Sequence, residues 1–236
     1  MAAFTDRVVV VTGAYGSLGV AVAQAFADLG GTVALLGRAA TPPAALQKQF
    51  GSPHLLVGNV ELTDLASATH AIDSVRQQLG RIDVLVNVAG GFHWEKIEHG
   101  DLDTWERMYS MNLKTTLIAS RAALPHLLAS APASIVNVGA GTATKPATAG
   151  MGAYAASKAA VQKLTESLAD ELKDRGVTVN AVLPGTIDTP QNHADMPDAD
   201  VSRWVPASAI ADVITFLASY RASAVTGAAI PVFGRG

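Results

Sequence analysis

The stretch Arg7-Val-Val-Val-Val-Thr-Gly-Ala-Tyr-Gly-Ser-Leu-Gly19 decides the fold of this chain. Its first half is a run of β-branched residues that is too short for a helix, and it is typical of a strand buried on both faces. Its second half places three glycines within eight residues, just before helical periodicity begins at Leu18. A strand, a glycine turn and a helix in this order favour a turn that binds the pyrophosphate of a dinucleotide. The alternative is a plain tight turn.

The same alternation of short apolar runs and helical periodicity continues along the chain. The predicted strands are Arg7–Thr12, Thr32–Leu36, His54–Val57, Ile82–Val88, Ser134–Val138, Val177–Leu183 and Ala228–Val232. The clearest of about six predicted helices are Leu18–Leu29, Leu65–Leu79, Thr104–Leu128, Ala153–Lys173 and Ala207–Ser219. This order indicates an α/β protein with a doubly wound, seven-stranded parallel sheet and helices on both faces. Because neither a repeat nor a linker divides the chain, we expect residues 1–236 to form one domain.

Composition excludes several classes of protein. The 236 residues are 49% hydrophobic and 16% charged, with 17 Lys plus Arg against 20 Asp plus Glu. Such a chain is globular and has no basic surplus with which to neutralise nucleic-acid phosphates. It contains neither a run of 18 apolar residues nor a signal-peptide pattern. Together with the absence of cysteine, these features predict a cytoplasmic protein whose partners include neither nucleic acid nor a membrane.

The end of the second predicted strand bears on the choice of cofactor. An acidic residue there would hydrogen-bond the ribose 2′-hydroxyl of NAD. This chain has Gly37-Arg38 instead. The glycine removes a carboxylate that would repel a phosphate, and the arginine can pair with the 2′-phosphate of NADP. We therefore expect NADP(H) to be preferred, with NAD(H) still possible. The alternative is that Arg38 is a solvated surface residue.

The clearest candidate for chemistry is Tyr154-Ala-Ala-Ser-Lys158, at the start of a predicted helix. Residues four apart share a helix face, so the phenol and the ammonium group project to the same side. The phenol is protonated at neutral pH, and a nearby ammonium favours the phenolate and so makes the phenol a better proton donor. The pair is therefore a candidate catalytic acid with its activating ammonium, but taken alone a Tyr/Lys pair at this spacing is more often incidental than catalytic.

Two segments interrupt the regular pattern, Gly90–Asp103 and Pro184–Pro206. Both follow predicted strands, and ligands bind beyond the carboxyl ends of strands in open α/β sheets. A loop of about 20 residues in a compact domain is usually functional, so we expect residues 184–206 to form a substrate loop rather than a surface excursion. In these segments Trp94, Met196 and Trp204 either line an apolar pocket or anchor the loops.

These motifs, in this order, resemble those of the short-chain dehydrogenase/reductase family. The matching elements are Thr12-Gly13…Gly19, Asn87-Val-Ala-Gly90, Asn112 in Met-Asn-Leu, Tyr154…Lys158 and Pro184-Gly-Thr-Ile-Asp-Thr189. The resemblance covers essentially the whole chain. It implies a single Rossmann-type domain that transfers hydride between a nicotinamide cofactor and a small-molecule substrate.

The resemblance also implies roles for individual residues. Tyr154 would be the general acid, Lys158 would hold the nicotinamide ribose and tune Tyr154, and Asn112 would hold a water for proton relay. Residues 184–189 would contact the nicotinamide end, with Thr189 near the phosphates or the carboxamide. The expected cofactor contacts are Gly13, Tyr15, Gly16, Ser17, Leu18, Gly19, Arg38, Glu61, Asn87, Ala89, Gly90, Tyr154, Lys158, Pro184, Gly185, Ile187 and Thr189. We expect no metal site.

Two departures from the family pattern bear on the chemistry. Ser17 stands where the usual turn has glycine, and it either hydrogen-bonds a phosphate or caps the helix. The catalytic serine of the family is replaced by Gly141, and the segment Asn137–Thr142 contains no serine. Losing a donor of this kind typically costs about 10²–10³ in rate. Either Thr142 or Thr144 substitutes for the serine, or the substrate does not need that donor.

Several stretches resemble the dihydropteridine-reductase-like branch of the family, which also lacks the serine. They are Gly16-Ser-Leu-Gly19, Val88-Ala-Gly-Gly91 with Phe92, Val182–Pro190, Met196–Asp200 and Trp204. A quinonoid dihydropterin is already an activated hydride acceptor and needs little oxyanion stabilisation, but enzymes of that branch prefer NADH. The sequence therefore leaves open a carbonyl reductase that uses Thr142, a pteridine-reductase-like enzyme, and a non-catalytic NADP-binding regulator.

The two longest predicted helices bear on assembly. Residues on more than one side of them are apolar, among them Ala155, Ala159, Val161 and Leu168. A single core face does not cover all of these side chains. Members of the family pair these helices across a two-fold axis, so we expect a homodimer or a homotetramer.

Overall fold

The computed structural model describes residues 3–235. The strands are β1 (Val8–Thr12), β2 (Thr32–Leu36), β3 (Leu55–Val57), β4 (Val84–Asn87), β5 (Ala133–Val138), β6 (Val177–Pro184), β7 (Ile187–Asp188), β8 (Val205–Pro206) and β9 (Ala229–Val232). The α-helices are α1 (Ser17–Asp28), α2 (Ala44–Gln49), α3 (Leu65–Leu79), α4 (Leu102–Met108), α5 (Thr115–Ala129), α6 (Gly152–Leu172), α7 (Pro190–Asp195) and α8 (Ala207–Ala218). Within the described residues, every helix is too short or too polar to cross a membrane.

Seven of these strands form one sheet in the order β3-β2-β1-β4-β5-β6-β9. Every neighbouring pair is parallel, which confirms the predicted seven-stranded parallel sheet. The direction in which the chain adds strands reverses between β1 and β4. A crevice for a ligand forms at such a switch point, beyond the carboxyl ends of the strands.

The sequence of β1 explains why helices cover both faces of the sheet. All five of its residues are buried, and successive side chains point to opposite faces. Val9 and Val11 lie in the core beneath α1 and α8. Val8 and Val10 lie in the core that α3 and α5 cover. The run of β-branched residues therefore fixes β1 at the centre of a three-layer structure.

The predicted helix Thr104–Leu128 is divided into three parts in the structure. A π-helical turn, Tyr109–Lys114, separates α4 from α5. A π-turn inserts an extra residue into a helix and is frequent at functional sites. Neither glycine nor proline within residues 109–114 marks the turn in the sequence, so periodicity alone predicted an uninterrupted helix.

Residues 184–206 are not the irregular loop that we predicted. They contain β7, α7, a 3₁₀ turn at Val201–Arg203 and β8, and β7 pairs with β8 in a parallel two-stranded sheet. The prediction also missed α2. These elements are two to six residues long, which is too short for a periodic pattern to reveal them.

The argument for assembly from α6 needs a correction. Ala155 and Val161 are already buried within the single chain, and Ala159 and Leu168 are half-buried. These four side chains therefore do not require a second subunit. Among the large apolar side chains that remain exposed, four lie together in sequence on α4, the π-turn and α5, namely Leu102, Trp105, Tyr109 and Leu117.

The packing of α1 on the sheet gives a test of the fold. Phe26 is fully buried, and its ring meets that of Phe4 edge-on with centroids 4.8 Å apart. Replacing Phe26 with Ala should lower the free energy of unfolding by about 3–5 kcal/mol, measured by urea denaturation, because it leaves a cavity. The control Phe216→Ala removes a ring that is 45% exposed and should cost less than about 1.5 kcal/mol. Equal losses would contradict this packing.

Candidate active site

The turn after β1 touches the segment after β4 at the switch point. Gly13 has a φ of +61°, and a Cβ there would lie 2.7 Å from the Cα of Ala89. A Cβ at Gly19 would lie 2.4 Å from the carbonyl oxygen of Gly13, so glycine alone fits both positions. The hydroxyl of Thr12 accepts hydrogen bonds from the N–H groups of Val88 and Ala89, each at 3.2 Å. These two hydrogen bonds tie the turn after β1 to the segment after β4.

The rest of the glycine turn is open. Gly16 is exposed, and a Cβ there would make only an ordinary contact, 3.5 Å from the oxygen of Gly13. Ser17 is the first residue of α1 and Gly16 is its N-cap, so of the two roles left open for Ser17 the structure does not give it the N-cap position, and a contact with a phosphate stays a prediction. Leu18 is buried in the core, which leaves only its backbone to a ligand. The N–H groups at the start of α1 are available to an anion.

Two residues follow β2, and only the second of them, Arg38, is open to solvent. The ring of Tyr15 lies against Gly37, where a Cβ would come within 2.1 Å of two ring carbons. The Tyr15 hydroxyl is buried without a hydrogen-bond partner among the described residues, and burial raises the pKa of Tyr15. Arg38, by contrast, is exposed, so its guanidinium is accessible at this end of the sheet.

Glu61 lies on the exposed side of the segment after β3. One oxygen of its carboxylate accepts hydrogen bonds from the backbone N–H and the hydroxyl of Thr63, at 2.8 and 2.7 Å. These bonds lower the pKa of Glu61, and the positive charges of Arg38 and Lys114 act in the same direction. The carboxylate is therefore ionised and held in place, but the structure does not test its predicted contact with the cofactor.

Three predicted catalytic side chains come together beyond β4 and β5. A Cβ at Gly90 would lie 2.6 Å from Oδ1 of Asn112 and 3.2 Å from Nζ of Lys158. Lys158 is buried and donates a hydrogen bond from Nζ to the carbonyl of Val138, the last residue of β5, at 2.8 Å. The ring of Tyr154 meets Phe92 edge-on with centroids 5.0 Å apart. The π-turn, α6 and the segment after β4 thus converge.

Asn112 has a structural role that the sequence did not predict. Its side-chain oxygen accepts the N–H of Gly91 at 2.9 Å. Its amide nitrogen donates to the carbonyl of Gly91 at 3.1 Å and to the hydroxyl of Ser157 at 3.0 Å. The π-turn places this amide between the segment after β4 and α6, and it fixes the two to each other. Ser157 lies inside the Tyr154–Lys158 motif, but no pattern in the sequence indicated that its side chain takes part in the site.

The side chain of Asn87 is buried in a polar network. Its amide nitrogen donates to the hydroxyl of Ser120 at 3.0 Å and to the side-chain oxygen of Asn137 at 2.9 Å. Asn137 in turn donates to the hydroxyl of Thr165 at 2.9 Å. The network joins β4, α5, β5 and α6 beneath the site. The network gives a structural reason for asparagine at the ends of two buried strands, and the cofactor contact of Asn87 stays a prediction.

Burial dominates the protonation of the two titratable groups. It raises the pKa of Tyr154 to about 12 and lowers the pKa of Lys158 to about 8. Loss of solvent disfavours the charged form of each group. In the free protein the pKa of Tyr154 is therefore raised, where the sequence predicted that the ammonium of Lys158 would favour the phenolate.

The position of the missing serine is filled by an aromatic ring. A Cβ at Gly141 would lie 2.8 Å from the ring of Phe233, which follows β9. The hydroxyl of Thr144 donates to the carbonyl of Gly141 at 3.2 Å. The hydroxyl of Thr142 is buried and has no partner within residues 3–235. Of the two candidate threonines, Thr142 therefore has the uncommitted hydroxyl.

The segment after β6 is held by its own hydrogen bonds. Pro184 is buried, and the N–H of Gly185 bonds to the last residue of β9 at 3.0 Å. The carbonyl of Ile187 accepts from the side chain of Asn192 at 2.7 Å. The hydroxyl of Thr189 accepts the N–H of Asn192 at 3.2 Å and caps α7. The predicted contact of Thr189 with a cofactor is not tested by this arrangement.

Trp94 and Trp204 lie in the two segments that interrupt the regular pattern, and both make anchoring contacts. Trp94 donates its indole N–H to the carbonyl of Ala149 at 3.0 Å while its ring stays half exposed. Trp204 packs edge-on against His193 with ring centroids 4.8 Å apart. Met196 is 39% exposed. The structure describes no cluster of three or more metal-ligating side chains within residues 3–235.

Comparison with known proteins identifies the family. Residues 7–200 match the family model described as short chain dehydrogenase. An uncharacterized oxidoreductase of Staphylococcus saprophyticus is 34% identical over 196 residues, which are 80% of this chain and 82% of the relative. A 2,5-dichloro-2,5-cyclohexadiene-1,4-diol dehydrogenase of Sphingobium indicum is 31% identical over 238 residues, covering 97% of this chain and 95% of the relative.

A solved structure agrees with this assignment. A short chain dehydrogenase of Burkholderia cenocepacia, determined in complex with NADP, superposes with a TM-score of 0.88 at 29% identity, covering 98% of each chain. The chain described here belongs to the short-chain dehydrogenase family. It is an oxidoreductase with the nucleotide-binding fold of that family.

The contact between the two turns can be tested through stability. Gly13→Ala adds a Cβ against backbone at a positive φ, so we expect it to lower the free energy of unfolding by about 2 kcal/mol or more. Gly16→Ala adds the same methyl group in open space and should change it by less than about 1 kcal/mol. Chemical denaturation measures both variants. A Gly13→Ala variant as stable as Gly16→Ala would contradict the close approach.

Proposed function

We propose that the protein transfers hydride between NADP(H) and a carbonyl, hydroxyl or quinonoid substrate, with Tyr154 as the general acid and base. The observation that carries this proposal is the convergence of Tyr154, buried Lys158 and Asn112 beside the glycine turn, beyond the carboxyl ends of β4 and β5. Such a site suits a small-molecule substrate. We also propose a cytoplasmic location, on the grounds of composition given above.

The residues present fit a dinucleotide with a 2′-phosphate. The start of α1 offers backbone N–H groups to a pyrophosphate, and the exposed backbone at Gly16 leaves room for the anion beside them. Exposed Arg38 offers a guanidinium to the 2′-phosphate, and Gly37 brings no opposing carboxylate. When bound, the nicotinamide ring supplies or accepts the hydride. The NADP complex of the Burkholderia cenocepacia relative supports this choice, while NAD(H) stays a possible second cofactor.

Tyr154 would move the proton in this reaction. In the direction of reduction, the acceptor carbon gains a hydride and its oxygen gains the phenolic proton of Tyr154. The raised pKa keeps Tyr154 protonated before the reaction. The ammonium of Lys158 then stabilises the phenolate that the proton leaves behind, and the carbonyl of Val138 holds that ammonium in position. Asn112 positions the segment after β4 against α6, and its predicted water would return a proton from solvent.

Thr142 is our candidate for the missing oxyanion donor. Its hydroxyl is buried and unpartnered among the described residues, whereas the hydroxyl of Thr144 is bonded to Gly141. A substrate oxygen that accepts from Thr142 would satisfy a group that is costly to leave unpaired. This supports a general carbonyl reductase or alcohol dehydrogenase. The cyclohexadiene-diol substrate in the name of the Sphingobium indicum relative is compatible with that reaction class.

A quinonoid acceptor of the dihydropteridine-reductase type is the second candidate. The ring of Phe233 fills the space beside Gly141 where a serine side chain would stand. The half-exposed ring of Phe92 lies against Tyr154 and offers a surface to a flat conjugated substrate. An activated acceptor of this kind does not need the missing donor. A non-catalytic NADP-binding regulator is disfavoured because Tyr154, Lys158 and Asn112 are assembled together.

We further propose that the protein forms a homodimer or a homotetramer. The exposed apolar side chains on α4, the π-turn and α5 support an interface there. Light scattering at micromolar concentration should give a multiple of the 24.3 kDa chain mass. A monomeric mass would refute the proposed assembly.

The proposed reaction predicts the outcome of an assay of NADPH oxidation. We expect turnover of at least one member of a panel of ketones, o-quinones and a quinonoid dihydropterin generated in situ. Tyr154→Phe removes the proton donor and should lower kcat by about 10²–10⁴-fold. Thr142→Val should lower turnover of a ketone by about 10²-fold and leave that of the dihydropterin nearly unchanged. Tight NADPH binding with no turnover of any acceptor would favour the regulator instead.

The buried ammonium predicts how reduction depends on pH. Because burial lowers the pKa of Lys158 to about 8, the ammonium is present below that pH and is lost as the pH rises through it. We therefore expect kcat/KM for reduction to fall above about pH 8. Lys158→Arg keeps its charge at these pH values and should remove the fall in whatever activity it retains. If kcat/KM fell in the same way above about pH 8 in both proteins, deprotonation of Lys158 would not be its cause.

A further inference from the structure

The Tyr15 ring covers the last position before Arg38 at the end of β2. A Cβ built on Gly37 would lie 2.1 Å from Cδ2 and Cε2 of Tyr15 and 2.5 Å from its Cγ. Because Cγ is only two bonds from the Tyr15 backbone, a small rotation of the ring does not clear it. The backbone of Gly37 lies outside the left-handed region. Glycine is therefore required there by lack of space and not by backbone conformation.

Both backbones at this contact are held in place. The N–H of Gly37 donates to the carbonyl of Val57 at 2.9 Å, and the carbonyl of Gly37 accepts from Val60 at 3.1 Å. On the other side, the N–H of Ala14 bonds to the carbonyl of Leu36 at 3.1 Å. A side chain at position 37 can therefore be accommodated only if the ring of Tyr15 leaves.

We propose that Tyr15 determines cofactor specificity by excluding any side chain at position 37. An acidic side chain at this position would hydrogen-bond the ribose of NAD. Every such side chain has a Cβ, and the ring of Tyr15 occupies the space that this Cβ would need. Arg38 is then the side chain at the end of β2 that decides between NADP(H) and NAD(H). Substitution at position 37 alone then does not convert the protein to NAD(H), whereas substitution of both residues does. This inference rests on the proposed preference for NADP(H).

The hydroxyl of Tyr15 provides a matched control. It is buried and lacks a hydrogen-bond partner within the described residues, so its removal costs no hydrogen bond seen in the structure. Tyr15→Phe keeps the ring over Gly37 and removes only the oxygen. Tyr15→Ala removes the ring. Any effect that requires the ring must be shared by the wild-type protein and Tyr15→Phe, and must be absent from Tyr15→Ala.

A stability cycle tests the steric part without any cofactor. Gly37→Ala should lower Tm by roughly 3–8 °C when residue 15 is Tyr or Phe, because it overpacks the contact. In the Tyr15→Ala background the same substitution should lower Tm by less than about 2 °C. An equal loss of Tm in all three backgrounds would overturn the proposal that the ring excludes a side chain.

Binding of NADPH and NADH, followed by nucleotide fluorescence, tests the consequence for specificity. Gly37→Asp alone should weaken NADPH binding and gain little affinity for NADH. Tyr15→Ala/Gly37→Asp should bind NADH at least about tenfold more tightly than Gly37→Asp, the gain of a hydrogen bond to a carboxylate. Tyr15→Phe/Gly37→Asp should behave like Gly37→Asp. A single Gly37→Asp variant that binds NADH as well as the double variant would overturn the proposal.

The two measurements separate this inference from the proposed function. If the wild-type protein bound neither nucleotide, the proposed function would fail, and the specificity role of Tyr15 would fail with it. The stability cycle would still decide whether the ring excludes a side chain. If the wild-type protein bound NADPH in preference to NADH but the cycle showed no coupling, the proposed function would stand and the role of Tyr15 would be overturned.

Discussion

The close approach of Gly13 to Ala89 is the constraint on which the rest of the site depends. The two turns follow β1 and β4, the strands between which the order of the sheet reverses, and a Cβ at Gly13 would overlap the Ala89 backbone. The hydroxyl of Thr12 ties both turns together. This contact leaves the outer side of the glycine turn open, with the start of α1 facing the crevice, while the segment after β4 runs directly to Asn112 and Lys158.

A second set of contacts builds the proposed catalytic half of the site on that segment. Asn112 in the π-turn bonds to Gly91 and to Ser157, so three separate parts of the chain are fixed at one point. Lys158 is buried against the end of β5, and its burial weakens its hold on a proton. The same burial keeps Tyr154 protonated. Packing that positions the two groups therefore also sets their protonation states.

The sequence predicted the seven-stranded parallel sheet and the shared helix face of Tyr154 and Lys158, because short apolar runs and residue spacing are local patterns. The place of Asn112 beside them came from the resemblance to the family. The sequence did not predict the π-turn or the contact of Phe233 with Gly141. Phe233 lies far along the chain from Gly141, and nothing local links the two. The burial of Asn87 in a polar network and the position of the Tyr15 ring against Gly37 likewise depend on tertiary contacts. The short elements within residues 184–206 fall below the length at which periodicity is detectable.

Hydrogen exchange measured by mass spectrometry, with and without NADPH, tests most directly where the cofactor binds. The site proposed above lies beyond the carboxyl ends of β1 and β4, at the switch point. We expect slower exchange in the segments that contain residues 13–19 and 88–91. Exchange should be unchanged at the amino ends of the strands, on the other side of the sheet's length, in the segment that enters β5 at residues 130–134. Protection confined to the amino ends of the strands, or no protection at a saturating concentration of NADPH, would contradict a cofactor site at the switch point.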